Sequence, residues 1–432
     1  MPASTTDPTH AALDVAWVRA QFPSLRLTVN GRPAAFLDAP AGTQVPQQVV
    51  DAMSDYLLHA NANTAGAFLT SRRTDAMLAA AHQAMADFLG CERDEVFFGQ
   101  NMTTLTFAFA RAIGRDLKPG DEIVTTTLDH DANVAPWRAL EDRGIVVRQA
   151  DVRVEDCTLD IDDLRRKITG RTRLVAVGYA ANAVGTLNDV AYVVRLAREV
   201  GALSFVDAVH YAPHGPIDVR ALGCDFLVCS PYKFFGPHMG ALYGRREHLL
   251  RLHPYKVRPA PDNLPDRWET GTLSHEGIAG VAAAIDYIAS VGRRAMAGTA
   301  AAIPEGEAGR REAILAAYRA IREYEGGLAR KLIPGLLEIP GLRFYGISDP
   351  ARFASRVPTV GIRLARAKPA EIAAYLGERG IFTWDGNYYA LNLTERLGVE
   401  SDGGLLRIGL VHYNTAEEVD RLLESLREIA TR

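Results

Sequence analysis

Residues 224–240 read Cys-Asp-Phe-Leu-Val-Cys-Ser-Pro-Tyr-Lys-Phe-Phe-Gly-Pro-His-Met-Gly. The apolar run Phe226 to Cys229 has the pattern of a short buried strand, and it ends at Ser230. One lysine, Lys233, comes next among aromatic residues, and Gly236-Pro237 closes the segment. A lysine held at a strand end against apolar neighbours has its ammonium form disfavoured, which frees the amine to act as a nucleophile. A Schiff-base lysine needs that property, whereas most lysines are solvated surface charges. On either view the segment is a strand delivering a loop, and the rest of the chain can be parsed outward from it.

Upstream, Leu203-Ser204-Phe205-Val206-Asp207-Ala208-Val209-His210 is a second buried-strand pattern, and this one delivers an acid. An aspartate at a strand end commonly caps the next segment of chain. In order with Lys233 it points to a pyridoxal phosphate site, with a lysine for the Schiff base and an aspartate for the pyridinium nitrogen. Further apolar runs lie at Glu95 to Phe98, Glu122 to Thr125, Arg173 to Gly178 and Ala241 to Tyr243. They alternate with helical patterns such as Val190 to Val200, which argues for an α/β fold with a mainly parallel sheet and helices on both faces. Ligands of such sheets bind beyond strand ends, where Asp207 and Lys233 fall. Residues 292–309 are rich in alanine, glycine and charge and mark the approach to a smaller C-terminal domain. The expected division is an N-terminal segment at 1–30, a large domain at 31–295 and a small domain at 296–432. In the last part, helical periodicity runs from Arg311 to Leu332, and strands are expected at Arg343 to Tyr345 and Thr359 to Arg363. The final helix, Thr415 to Ile429, carries Val419, Leu422, Leu423, Leu426 and Ile429 on one face. No internal repeat is present.

The two blocks Val-Asp-Ala-Val-His and Ser-Pro-Tyr-Lys-Phe-Phe-Gly-Pro-His-Met-Gly closely resemble those of class V, fold-type I pyridoxal phosphate enzymes, in the group related to cysteine desulfurases. The resemblance runs from about residue 30 to the C-terminus, with motifs in the family's order. It implies the fold-type I architecture: a mainly parallel sheet of the seven-stranded type flanked by helices, with a smaller α+β C-terminal domain. It implies pyridoxal 5'-phosphate as cofactor and maps roles onto this chain. Lys233, His130 and Asp207 become the catalytic set, with His130 stacked on the cofactor ring. Gly99-Gln100-Asn101-Met102-Thr103-Thr104 matches the turn that holds the phosphate, making Met102 and Thr103 the donors; a helix start suits an anion on physical grounds too. Asn182, in Ala-Asn-Ala-Val-Gly-Thr, maps near the ring hydroxyl or the substrate carboxylate, and His210 near the ring oxygen. Ser230 and Tyr232 precede the lysine where the desulfurases have Ser-x-His-Lys. Tyr232 can donate a hydrogen bond but brings less positive charge. Thr272 matches a threonine that reaches the neighbouring subunit's phosphate, so a homodimer with shared active sites is implied. Arg407, in Leu-Leu-Arg-Ile-Gly-Leu-Val-His-Tyr-Asn-Thr, matches the arginine that grips the substrate carboxylate, a task suited to a two-pronged guanidinium.

One departure bears on the reaction. Desulfurases hold sulfur as a persulfide on a cysteine of a C-terminal loop. The cysteines of this chain are Cys91, Cys157, Cys224 and Cys229, and none lies beyond 229. The corresponding loop reads Thr383-Trp384-Asp385-Gly386-Asn387-Tyr388-Tyr389-Ala390-Leu391, which puts Tyr389 at the cysteine position. A phenol cannot accept sulfur as a persulfide. The expected chemistry is therefore a carbon–sulfur lyase reaction, a β-elimination on an amino acid through an external aldimine and a Cα carbanion. An aminotransferase, a Cα epimerase or a decarboxylative enzyme forming carbon–carbon bonds stays open, and so does a non-catalytic scaffold. Trp384, Tyr388 and Tyr389 would line the substrate end and suit a substrate bulkier than cysteine.

Composition fits a large globular enzyme, with 48% hydrophobic and 23% charged residues in 432. A formal charge of −4 leaves no nucleic-acid footprint. No apolar run reaches membrane-spanning length, and residues 1–12 read as a flexible start rather than a signal. Four scattered cysteines and histidines without HExxH spacing suggest a cytoplasmic protein with no metal site.

Overall fold

A computed structural model describes residues 12–297, 302–304 and 306–431; the expected flexible start lies almost wholly outside these. The strands that position the site are β1 (Ala35–Phe36), β2 (Val96–Gly99), β3 (Glu122–Thr126), β4 (Val146–Ala150), β5 (Thr172–Gly178), β6 (Leu203–Asp207), β7 (Phe226–Cys229) and β8 (Gly240–Gly244). They continue with β9 (Leu342–Tyr345), β10 (Thr359–Leu364), β11 (Ile381–Phe382), β12 (Trp384–Gly386) and β13 (Leu405–Gly409). The helices that matter are α1 (Gln47–His59), α2 (Leu69–Leu89), α3 (Met102–Gly114), α4 (Val190–Glu199), α5 (His275–Met296), α6 (Arg310–Leu337) and α7 (Ala416–Ala430).

The central sheet has seven strands in the order β2-β8-β7-β6-β5-β3-β4. Every pairing is parallel except those of β8, which runs antiparallel to both β7 and β2. Its side chains alternate between two apolar layers, as a sheet covered on both faces requires. Val175, Val206 and Leu227 join the core formed with α2, α5 and α6. Leu174, Phe205 and Phe226 join the core under α3, built on Phe109, Ile113, Trp137 and Trp268. The sequence expectation of a mainly parallel, two-faced sheet holds. Six of its strands were legible as apolar runs; β4, at the edge, was not, because Val146-Val147-Arg148-Gln149-Ala150 is only partly buried.

A second, antiparallel sheet runs β9-β10-β13-β12. Its core takes Leu332 and Leu336 from α6, Val360 and Ile362 from β10, Ile408 from β13, and Val419, Leu422 and Leu426 from α7. The start of α7 is fixed by Thr415 and Glu418, each bonding the other's backbone N–H. Two features join this layer to the first. The chain's beginning contributes β1, paired parallel with β11, and Ala35 and Leu37 enter the second core. Helix α6 buries Ala313, Ile314 and Tyr318 in the first core and Leu328 onward in the second.

The carboxyl ends of β5, β6 and β7 finish level, since Asp207 pairs with Gly178 on one side and Val228 on the other. Helix α3 starts beyond β2, and the turn carrying His130 comes after β3. Lys233, Asp207, His130 and the start of α3 are thus delivered to one edge of the sheet.

Candidate active site

Lys233 occupies a short 3-10 turn, Pro231–Lys233, directly beyond β7. It is 9% exposed, and its Nζ donates to the carbonyl of Pro40. Burial, seconded by the Arg407 charge, lowers its pKa from 10.5 to about 7, while Asp207 and Asp38 pull the other way. Asp207 closes β6, and its Oδ1 accepts from the Val209 amide at 2.9 Å. Burial pushes its carboxyl up to about 6, against the hydrogen bond from Val209 and the charge of Lys233. His130 lies between β3 and the turn Asp131–Asn133. Its Nδ1 accepts from the Ala132 amide at 3.0 Å, which leaves the proton of the neutral ring on Nε2. Burial first, then the charges of Lys233 and Arg407, lower it to about 4, so the ring is neutral near pH 7.

These three side chains line one cleft together with Met102, Thr103, Asn182, His210 and Tyr232. The cleft holds about 570 Å³ of space not filled by protein atoms. At one end Met102 and Thr103 open α3, where backbone N–H groups have no carbonyl above them. Asn101 caps that helix, accepting from Thr104 at 2.9 Å. Ser230 Oγ is buried with no hydrogen-bond partner among the described residues. At the other end Arg407, in β13, is 4% exposed and donates from Nη1 to the Asn182 carbonyl at 3.0 Å. Asn182 donates from Nδ2 to the Tyr388 carbonyl at 2.9 Å, and its Oδ1 is likewise buried without a partner. This turn can lie against β10 only because residue 185 is glycine: its φ is +79° and an added Cβ would stand 2.3 Å from the Thr359 carbonyl oxygen. His210 bonds through Nε2 to Thr359 Oγ1 at 3.0 Å, and burial holds its pKa well below the ordinary value.

Tyr388 and Tyr389 both adopt left-handed backbone, φ 56° and 59°. The Arg407 guanidinium lies 4.1 Å from the centre of the Tyr388 ring. The Tyr389 ring stacks on His130, with centres 5.4 Å apart, and remains 72% exposed. The Tyr389 carbonyl accepts from the Asp131 amide at 2.7 Å. Trp384 is half-exposed and enters through its backbone carbonyl, which accepts from the Tyr388 hydroxyl at 3.2 Å. Thr272 is exposed and outside the Lys233 cleft; it lines a neighbouring opening with Gln100, Thr104 and His238.

Three residues escaped the sequence reading. Asp38 has a buried, partnerless Oδ1, and burial raises its carboxyl to about 6 beside Arg407 and Lys233. Pro40 supplies the acceptor for Lys233. Asp129 lines the cleft and is held by Thr126 and Asn133; burial raises it to about 7. The signal for Asp129 was its place beside His130. Nothing in Phe-Leu-Asp-Ala-Pro marked Asp38 or Pro40.

The four cysteines stand elsewhere. None lines the cleft, Cys157, Cys224 and Cys229 are fully buried, and burial raises all four thiols. Among the described residues no cluster of metal ligands occurs, and no helix is long and apolar enough to cross a membrane. The residues present fit pyridoxal phosphate. An orphaned hydroxyl and free amides could hold a phosphate, a buried carboxylate could face a ring nitrogen, and a buried amine of lowered pKa lines the same cleft as that carboxylate.

The pattern of the family described as Aminotransferase class-V matches residues 35–306 and 313–422. A cysteine desulfurase of Pectobacterium carotovorum subsp. carotovorum (strain PC1) is 32% identical over 429 residues, covering 95% of this chain and 97% of that protein. The apo structure of a cysteine desulfurase from Thermococcus onnurineus NA1 matches with a TM-score of 0.81 at 27% identity, over 95% of this chain and 98% of that one. A cysteine desulfurase of Escherichia coli matches with a TM-score of 0.81 at 26% identity, over 97% and 99%.

Proposed function

This chain belongs to the class-V aminotransferase family and is a pyridoxal-phosphate-dependent enzyme of cysteine-desulfurase-like type; within that family we propose that it is a carbon–sulfur lyase which needs no persulfide cysteine. The observation that carries this reading is the absence of every cysteine from a cleft that keeps Lys233. The overall reaction balances as a cysteine S-conjugate plus water giving a thiol, pyruvate and ammonia.

Pyridoxal phosphate, when bound, supplies an electron sink for negative charge at the Cα of an attached amino acid. Asp207 would hold the ring nitrogen's proton with its buried carboxylate. Met102, Thr103 and Ser230 would take the phosphate, and His130 and His210 would flank the ring. Lys233 Nζ, neutral above about pH 7, can bind the cofactor and later accept the Cα proton. Arg407 would bind the substrate carboxylate, with Asn182 orienting its guanidinium. The exposed Tyr389 phenol, stacked on His130, would meet the β-substituent of the substrate at the mouth of the cleft. In a homodimer Thr272, exposed and outside its own cleft, would be free to serve a partner's phosphate end, which supports that reading.

The test is a product assay on cofactor-loaded protein with cysteine, cysteine S-conjugates and aspartate. Pyruvate with released thiol is the expected result. Alanine with a protein-bound persulfide would refute the proposal and return the chain to desulfurase chemistry. Cα deuterium exchange without net product would make it an epimerase, and turnover dependent on an added keto acid an aminotransferase.

A further inference from the structure

The phosphate end of the cleft has donors but no assigned cation. Ser230 is 1% exposed with its Oγ unpartnered, and the first amides of α3 are the other donors assigned to the phosphate. A phosphate there would be a dianion held by hydroxyls and backbone N–H groups, with no cation assigned to it. Among the described residues, and apart from the imidazoles of His130 and His210, the one basic side chain lining the cleft is Lys233, and its Nζ is engaged with Pro40. Arg111 lies nine residues into α3, roughly 13 Å along the helix axis from the amides in question.

His238 is better placed. Strand β8 begins at Gly240, which pairs with Gly99 at the end of β2. A Cβ at Gly240 would stand 2.5 Å from the carbonyl carbon of Asn101, so the missing side chain lets this segment lie flat on the turn before α3. Two residues earlier the His238 ring stacks on Tyr232, centres 5.0 Å apart and planes 13° from parallel. Tyr232 lines the cleft, while His238 lines the adjoining opening with Gln100 and Thr104. The imidazole therefore stands where the two openings meet, beside the start of α3.

We propose that His238 is the cationic partner of the cofactor phosphate, held over Tyr232 by the ring stack and replacing the positive charge that Tyr232 does not provide. The proposal rests on the reading of this cleft as a pyridoxal phosphate site. Its test compares pyridoxal phosphate with pyridoxal, which lacks the phosphate, in equilibrium binding to cofactor-free protein measured by absorbance. The His238→Phe variant keeps an aromatic ring for the stack but has no N–H. It is expected to weaken pyridoxal phosphate binding by about tenfold or more, as loss of a charge-assisted hydrogen bond does. It should leave pyridoxal binding within about twofold. His238→Lys should recover most of the loss, and the phosphorus resonance of the bound cofactor should move in the Phe variant. Unchanged pyridoxal phosphate affinity in His238→Phe would overturn the proposal. So would an equal loss for both ligands in a variant whose cofactor-free melting temperature is unaltered. If wild-type protein takes up neither ligand, the reading of the cleft fails, and this proposal with it.

Discussion

Replacing Lys233 by methionine should make the cofactor-free protein more stable, and by an amount that depends on pH. In the unfolded chain the amine is protonated below its ordinary 10.5; in the folded chain it loses the proton near 7. Between these values folding expels a proton, so stability falls as the pH drops from 10.5 toward 7 and levels off below that. The full displacement corresponds to a penalty of ~5 kcal/mol on the charged form. Methionine avoids the penalty with a similar volume but leaves the Pro40 carbonyl without its donor, which costs about 1–2 kcal/mol. The expected net gain is ~3 kcal/mol at neutral pH, vanishing by about pH 9. Urea unfolding of wild type and variant at one protein concentration, stepped from about pH 7 to 9, measures it; fixed concentration matters because subunit association would add to the apparent stability. A variant less stable than wild type at neutral pH, or a gain that does not shrink as pH rises, would refute the placement of this amine in a desolvated site.

Three further outcomes are expected. Arg407→Met should raise KM for an amino acid by ~10–100-fold through loss of the paired hydrogen bonds. Because Arg407 helps depress Lys233, the same change should raise the pKa of the free amine in cofactor-free protein above its value of about 7, read from the pH dependence of amine labelling; an unchanged labelling profile would show that the two charges do not interact. His130, held at about 4, should show a flat imidazole NMR signal from about pH 5.5 to 8, and a titration near 6.5 would mean the ring is solvated. Tyr389→Ala should change the ratio of rates for bulky S-substituted and small substrates, and an unchanged ratio would remove Tyr389 from the substrate end.

The large sheet was legible because its strands are buried on both faces and read as short apolar runs. Where that condition weakens, so does the signal: Val146–Ala150 is half-solvated at the sheet edge and passed unread. The antiparallel course of β8 was also invisible. Gly-Ala-Leu-Tyr-Gly has a strand's composition whichever way it runs, and its direction goes with a connection from Cys229 to Gly240 that holds no crossover helix rather than with its own residues. Trp384–Gly386 is three residues long, too short to show any period.

The site was legible in proportion to how much chain chemistry sits in one segment. Lys233 and Asp207 each end an apolar run, so strand and reactive group are read together. Asp38 and Pro40 belong to a segment far from either in sequence, and they reach Lys233 because Gly409 at the end of β13 pairs with Asp38. That contact exists only once both sheets have formed, and it sets a condition on the chemistry. Arg407 sits in β13, and β10 and β13 together hold the residues that flank Asp38, His210 and the Asn182 turn. The lowered pKa of Lys233 depends on burial first and on Arg407 second, and the second sheet supplies the Arg407 contribution. A chain in which the second sheet is loosened should therefore keep its lysine while the amine's pKa rises, so that less of it is neutral near pH 7 and able to act as a nucleophile.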